Sequence, residues 1–160
     1  MKARLCAVIL LSTYSMHGSA FELICDIDEF TDEESCQIEK LDMTTGEGIT
    51  IGHTDDKSHL VFGILDLKEE PLFEDYLLVR VDEFDARDLA QPENGIASSR
   101  GFVLTSLTKR EAETFYQEIA DGTTLKARLS VFNGGFKEFE FSTQGFAEVW
   151  EDFKEKSPLW

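Results

Sequence analysis

The residues best placed for chemistry sit close together. His53, Asp55, Asp56 and His59 fall within seven residues, and a hairpin could turn all four toward one cation. Imidazole with carboxylate suits zinc or a similar ion, and a bound metal would activate water for hydrolysis. A metal-dependent hydrolase built on the His53–His59 turn is therefore one reading of the chain. The plainer reading is a polar turn joining two strands, and it is preferred. A second group, Asp26, Asp28, Asp32, Glu33 and Glu34, hints at calcium. EF-hand spacing fails there. Phe30 would take position five, Thr31 stands where position six needs glycine, and Gln37 falls at position twelve.

Other catalytic chemistry finds little support. There is no Gly-x-Ser-x-Gly elbow. Past residue 20 the only histidines are His53 and His59, so general bases are few. With 32 acidic residues, some carboxylate pair will always stand at glycosidase separation, which makes such pairs uninformative. Gly134-Gly135 reads as a hairpin turn rather than a phosphate cradle. No catalytic residue and no cofactor is assigned.

Charge narrows the partners. The chain has 15 Lys and Arg against 32 Asp and Glu, a net −17. Nucleic acid is excluded as a partner, because binding phosphate needs clustered cations. Anionic membrane surfaces are disfavoured for the same reason. Yet 42% of the 160 residues are hydrophobic, enough for one packed domain rather than a disordered chain. A strong field of this sign speeds encounter with basic proteins. It also keeps a protein soluble, and the sequence does not separate the two uses.

The first twenty residues read as an address. Lys2 and Arg4 form a positive start, Leu5–Leu11 an apolar stretch, and Gly18-Ser19-Ala20 a small-residue cleavage site. The stretch is too short to span a membrane. Cleavage after Ala20 leaves 21–160 as a single domain. Losing Lys2 and Arg4 moves the charge from −17 to −19. The expected destination is across the inner membrane into the periplasm, with no membrane insertion. Cys6 leaves with the signal, and Cys25 and Cys36 remain. A pair of cysteines in an exported chain is most simply a disulfide.

The elements that must position these residues are mostly strands. Phe21–Ile27 alternates, as does Cys36–Met43, and an antiparallel pair setting Cys25 on Cys36 also sets Leu23 on Ile38. Ile49–His53 follows a turn at Thr44–Gly48. That turn predicts Met43 on Ile49, Leu41 on Ile51 and Glu39 on His53, with a bulge between Ile38 and Leu41. His59–Leu65 is almost wholly apolar, a strand buried on both faces. Tyr76–Val81 and Gly101–Leu107 are further strands. Asp82–Ser99 between them is irregular, with a short helix over Asp85–Ala90 as one option. Thr108–Glu111 fits a capping box, and Ala112, Phe115, Tyr116 and Ile119 mark a helical face ending at Gly122. Leu125–Phe132 and Phe136–Ser142 form a hairpin. A three-residue loop at Asn133-Gly134-Gly135 sets Leu129 on Phe139, Ala127 on Phe141 and Arg128 on Glu140. Phe146, Val149, Trp150 and Phe153 mark a last helix that Pro158 limits. The sum is mainly β: an antiparallel β-sandwich, or a distorted barrel, of seven or eight strands with two short helices.

Two acidic loops carry aromatic residues. Asp28, Phe30, Asp32, Glu33 and Glu34 form one; Asp82, Phe84 and Asp85 form the other. Phe73 sits in a third charged stretch. An apolar residue rimmed by acids can anchor a basic partner. The plainer expectation is that each phenylalanine folds back to plug its own loop.

Phe21–Cys25 followed by Cys36-Gln37-Ile38, and the run from Leu107 through Phe141–Phe146 to Phe153, resemble the invasion-associated locus B family of exported bacterial proteins. Some periplasmic proteins accessory to type VI secretion look similar. The chain departs from the pattern in opening on Phe21 rather than Trp, and in lacking a second, C-terminal cysteine pair. The resemblance implies a periplasmic β-sandwich without a known active site, and it carries over no catalytic residue. The resulting expectation is a non-enzymatic binding or accessory protein, of inhibitor or immunity type, for a basic envelope partner.

Overall fold

The computed structural model of the chain describes residues 20–54, 57–67, 72–90, 96–99, 101–131 and 134–160. The signal sequence and Asp55-Asp56 lie outside these residues, so their expected roles stay expectations. In chain order the elements are β1 (Glu22–Ile27), β2 (Glu34–Leu41), β3 (Glu47–His53), β4 (Leu60–Asp66), β5 (Leu72–Val81), β6 (Arg87–Asp88), β7 (Ile96–Ser99), β8 (Phe102–Leu107), α1 (Lys109–Asp121), β9 (Thr124–Val131), β10 (Phe136–Ser142) and α2 (Phe146–Lys156). The fold is a mainly β, sandwich-like pair of antiparallel sheets. One has six strands in the order β1-β2-β3-β4-β8-β7, the other four in the order β10-β9-β5-β6. Neither closes into a barrel.

The strand count exceeds expectation because of β6 and β7. No helix forms over Asp85–Ala90. Arg87 and Asp88 instead pair with Val79 and Leu78, the Leu89 N–H donates to the Leu77 carbonyl at 2.8 Å, and Thr105 Oγ1 donates to the Leu89 carbonyl at 2.9 Å. Pairing along β5 satisfies this backbone better than one isolated helical turn would.

One core serves both sheets and both helices. Strand β4 supplies Leu60, Phe62 and Ile64, all fully buried, while Val61 and Leu65 are half-buried. Helix α1 starts at the expected capping box: Thr108 Oγ1 accepts from the Glu111 N–H, and the Glu111 carboxylate accepts from the Thr108 N–H at 2.9 Å. It buries Ala112, Phe115, Tyr116 and Ile119. At its end a Cβ on Gly122 would stand 2.4 Å from Val81 Cγ1 and 2.9 Å from the Glu118 carbonyl, so the close approach of β5 to the helix end requires glycine. Helix α2 packs on α1, β1 and β2. Trp150 stacks on Phe146 and Phe153 and meets Tyr116 edge-on, an aromatic cluster worth more than its buried area alone.

Three registers test the sequence reading. Cys25 faces Cys36 and Leu23 faces Ile38, as expected. Strand β2 meets β3 differently: Ile38 faces Ile51, Glu39 faces Thr50 and Lys40 faces Ile49. The turn lies earlier than expected, because Asp42 nucleates it. Its Oδ1 accepts from the Thr44 N–H at 2.7 Å, and its carbonyl accepts from the Gly46 N–H at 2.7 Å. No bulge is needed, and Lys40 rather than Leu41 takes the inward position. The β9–β10 loop has three residues, but Val131 and Gly135 close it. Phe139 therefore faces Ala127, Phe141 faces Leu125 and Glu138 faces Arg128. The slip of two keeps apolar on apolar and acid on base, so the pattern alone could not choose.

Candidate functional site

One end of the six-stranded sheet gathers most of the chemistry-bearing residues. There the β1–β2 loop meets the β3–β4 turn and the end of α2. The Cys25–Cys36 disulfide joins strands whose Cα atoms are 4.0 Å apart at that point. Beyond it, Asp28 builds the loop. Its Oδ1 accepts from the Phe30 and Thr31 N–H groups at 2.7 and 3.2 Å, and its N–H donates to the Glu33 carbonyl at 3.0 Å. Asp32 adopts the left-handed φ of 57° that closes the loop, a conformation short polar side chains tolerate. Two lysines brace it from outside. Lys57 Nζ lies 2.6 Å from Glu33 Oε2, and Lys156 Nζ lies 2.8 Å from Glu34 Oε1.

This bracing holds Phe30 in solvent. Its side chain is 96% exposed, and Ile27 beside it is 60% exposed. The expectation that Phe30 folds back to plug its loop is therefore wrong. The Asx-turn at Asp28 and the two lysine braces stabilise the loop without an apolar plug. Sequence reasoning missed Ile27 and the lysines. Ile27 was legible as an apolar residue ending a strand next to acids, whereas a lysine 122 positions away from Glu34 was not.

The second acidic loop lies elsewhere. Asp82 accepts from the Thr123 and Thr124 N–H groups at 2.7 and 2.9 Å and from the Thr123 hydroxyl at 2.9 Å. These bonds hold its carboxyl below the usual range, the Thr123 contacts leading. Asp82 is thus a structural clasp at the end of α1. The first loop is tied through Lys57 to the turn before β4, and Leu60 at the start of β4 faces Leu107, the residue before the Thr108 cap of α1. Helix α1 has 13 residues, about 20 Å, so the two loops flank its opposite ends. Phe84 is 43% exposed and Asp85 is exposed, but neither joins Phe30. The side chain of Phe73 lies outside the described residues.

The histidines have other engagements. His53 Nε2 lies 2.7 Å from Ser157 Oγ, and its ring stacks on Phe153 at 5.0 Å. Burial pushes its imidazole pKa down, and the Lys57 charge adds to this. His59 is exposed, with Nδ1 2.7 Å from Ser58 Oγ. Asp55 and Asp56 lie outside the described residues. Among the described residues, Cys25, Glu34 and Cys36 bring ligand-type atoms within 4.8 Å of one another, but both sulfurs are spent in the disulfide.

Two charged groups inside the protein were unforeseen. Lys40 is 7% exposed, donates to the Ser142 carbonyl at 2.6 Å and lies over the Phe21 ring; burial lowers its pKa. Asp66 is fully buried, with Oδ2 2.7 Å from Lys137 Nζ and Oδ1 without a hydrogen-bond partner. Glu47 lies 3.3 Å from the same ammonium. A cavity of about 510 Å³ opens between α1 and β6, lined by Arg87, Leu89, Arg110 and Phe115 among others. Arg87 there is committed to Glu118 at 2.5 Å.

Comparison with known proteins gives a fold. The chain is similar to the crystal structure of invasion associated protein B from Bartonella henselae, with a TM-score of 0.59 over 89% of this chain and 97% of that one. Sequence identity is 10%, so the likeness is one of architecture. It bears out the resemblance read from the sequence at that level. No protein-family profile matches the chain, and no curated protein matches it in sequence.

Proposed function

We propose that the chain is an exported, periplasmic, non-enzymatic binding protein that uses the β1–β2 loop to hold a basic protein partner. The observation that carries this reading is Phe30, 96% exposed at the tip of a loop held by a disulfide, an Asx-turn and two ion pairs. An exposed aromatic on a rigid support loses little entropy on binding, and such residues dominate interface energies. Asp28, Glu29, Asp32, Glu33 and Glu34 surround it in sequence, and the net charge of −17 favours basic partners at long range. The resemblance to exported bacterial proteins and the signal-like first twenty residues support the location. The fold shared with invasion associated protein B supports an accessory role over an enzymatic one.

The test is retention of envelope proteins on the immobilised, oxidised protein at low and high salt, with Phe30→Ala in parallel. The expected result is a basic partner that is released by salt and whose affinity falls about tenfold or more in Phe30→Ala. Retention indifferent to both salt and Phe30 would sink the reading.

A further inference from the structure

The β1–β2 pair leaves an unpaired edge beside Phe30. Among the described residues, β1 pairs with β2 alone. Opposite residues in an antiparallel pair stand about 5.5 Å apart where they exchange hydrogen bonds and about 4.5 Å apart where they do not. At 4.0 Å, Cys25 and Cys36 form a non-hydrogen-bonded pair. The N–H and C=O groups of Cys25 therefore point away from β2, and by the two-residue period so do those of Leu23 and Ile27. The Ile27 N–H agrees: it donates to its own neighbour's carboxylate, Asp26 Oδ1, at 2.9 Å. Asp26 thus satisfies one outward donor. Leu23 and Cys25 present theirs to the outside.

Natural edges are usually blunted with charge, bulges or a covering element. The edge strand β10 of the other sheet follows that rule. Its Glu138 and Glu140 are matched by Arg128 and Lys126 on β9, and Lys137 reaches across to Asp66. Strand β1 does not. Glu22 stands opposite Glu39, a like-charge pair that costs stability, and Asp26 stands opposite Ser35. Glu22, Ile24 and Asp26 share the sheet's outer face, while Leu23, Cys25 and Ile27 share the other. A strand added here would find acid, apolar, acid on one face and apolar neighbours on the other.

We propose that β1 extends the six-stranded sheet by one strand, taken from a partner segment that alternates basic and apolar residues. Main-chain bonds to Leu23 and Cys25 hold the segment. Its basic side chains lie beside Glu22 and Asp26, and Ile27 with Phe30 receives its apolar end. This deepens the proposed binding role and rests on it.

The probe is a synthetic peptide of alternating Lys and Val, tested on the oxidised full chain. A second peptide carries N-methyl groups on alternate amides, in both phases, which removes edge donors without changing charge. Amide hydrogen exchange is read residue by residue. The expected result is that the plain peptide slows exchange at Leu23 and Cys25 by about tenfold or more. Ile24 and Asp26, already facing β2, stay unchanged, and at least one N-methylated phase loses the effect. Binding of all peptides alike, with no protection at Leu23 or Cys25, would overturn strand addition and leave acid-driven binding intact. Failure of every peptide to bind at low salt would overturn both.

Discussion

The hairpins β1–β2 and β9–β10 are alike in pairing and opposite in how they use charge. In β9–β10 each cross-strand charge meets its opposite: Arg128 with Glu138, and Lys126 with Glu140. In β1–β2 the directly opposed charges are Glu22 and Glu39, which repel. The β9–β10 loop is short and glycine-rich, with left-handed φ at Gly134 and Gly135. The β1–β2 loop projects an aromatic side chain into water. One hairpin spends its charges on its own stability. The other accepts repulsion and exposure, and a disulfide holds it together in compensation. A region that gives up local stability without evident structural return is where function is expected to lie.

The largest expected effect breaks the well-satisfied side of this contrast. Lys137→Met leaves Asp66 fully buried with neither oxygen bonded to a cation. We expect a loss of about 3 kcal/mol, seen as a lower urea midpoint with an unchanged slope. Adding Asp66→Asn should recover part of it. An unchanged midpoint for Lys137→Met would mean that the inter-sheet pair is not what anchors β10. By contrast Asp32→Asn in the acidic loop, where asparagine also tolerates positive φ, should move stability by less than about 0.5 kcal/mol.

Next in size is the staple. Cys25→Ser with Cys36→Ser should cost roughly 2–3 kcal/mol and raise amide exchange along β1 while leaving β9 and β10 protected. Equal loosening of both hairpins would show that the disulfide acts on the whole domain and not on the loop that presents Phe30. Reduction of the wild-type protein should reproduce the variant.

What the sequence revealed follows the same division. The register of β1–β2 was legible because two cysteines name one pair and leave no freedom. That of β9–β10 was legible only modulo two residues, since a slip of two preserves every face and every charge match. That of β2–β3 was misjudged by taking Thr44–Gly48 as the turn, when the side chain of Asp42 sets it. Both helices were plain from their apolar spacing and, for α1, from Thr108 and Glu111. Lys40 and Asp66 were invisible because their partners, Ser142 and Lys137, are distant in sequence. For the candidate site, the residue types in the Asp28–Glu34 loop were legible. The exposure of Phe30 was not, because it depends on Lys57 and Lys156 bracing the loop from two other elements.

The smallest effect sharpens the comparison most, because its sign should differ between hairpins. Burial raises the Glu39 pKa, and the Glu22 charge raises it further. A carboxyl with a raised folded pKa holds its proton more tightly in the folded state. Its penalty is absent well below 4.5, grows as pH climbs toward the raised value, and stays constant above it. Glu39→Gln should therefore stabilise the protein near pH 7 and have no such effect in acid. Glu39 is half-exposed, so screening keeps the gain below about 1 kcal/mol. Its hydrogen bond from Gln37 Nε2, 2.8 Å long, survives because the glutamine carbonyl can accept it. Glu138→Gln removes the charge that Arg128 meets and should destabilise slightly at the same pH. Paired urea titrations near pH 7 and in acid check both variants. Two losses of equal size would mean that the acids of β1–β2 contribute to folding as those of β9–β10 do, and the case for keeping them as a binding surface would fall.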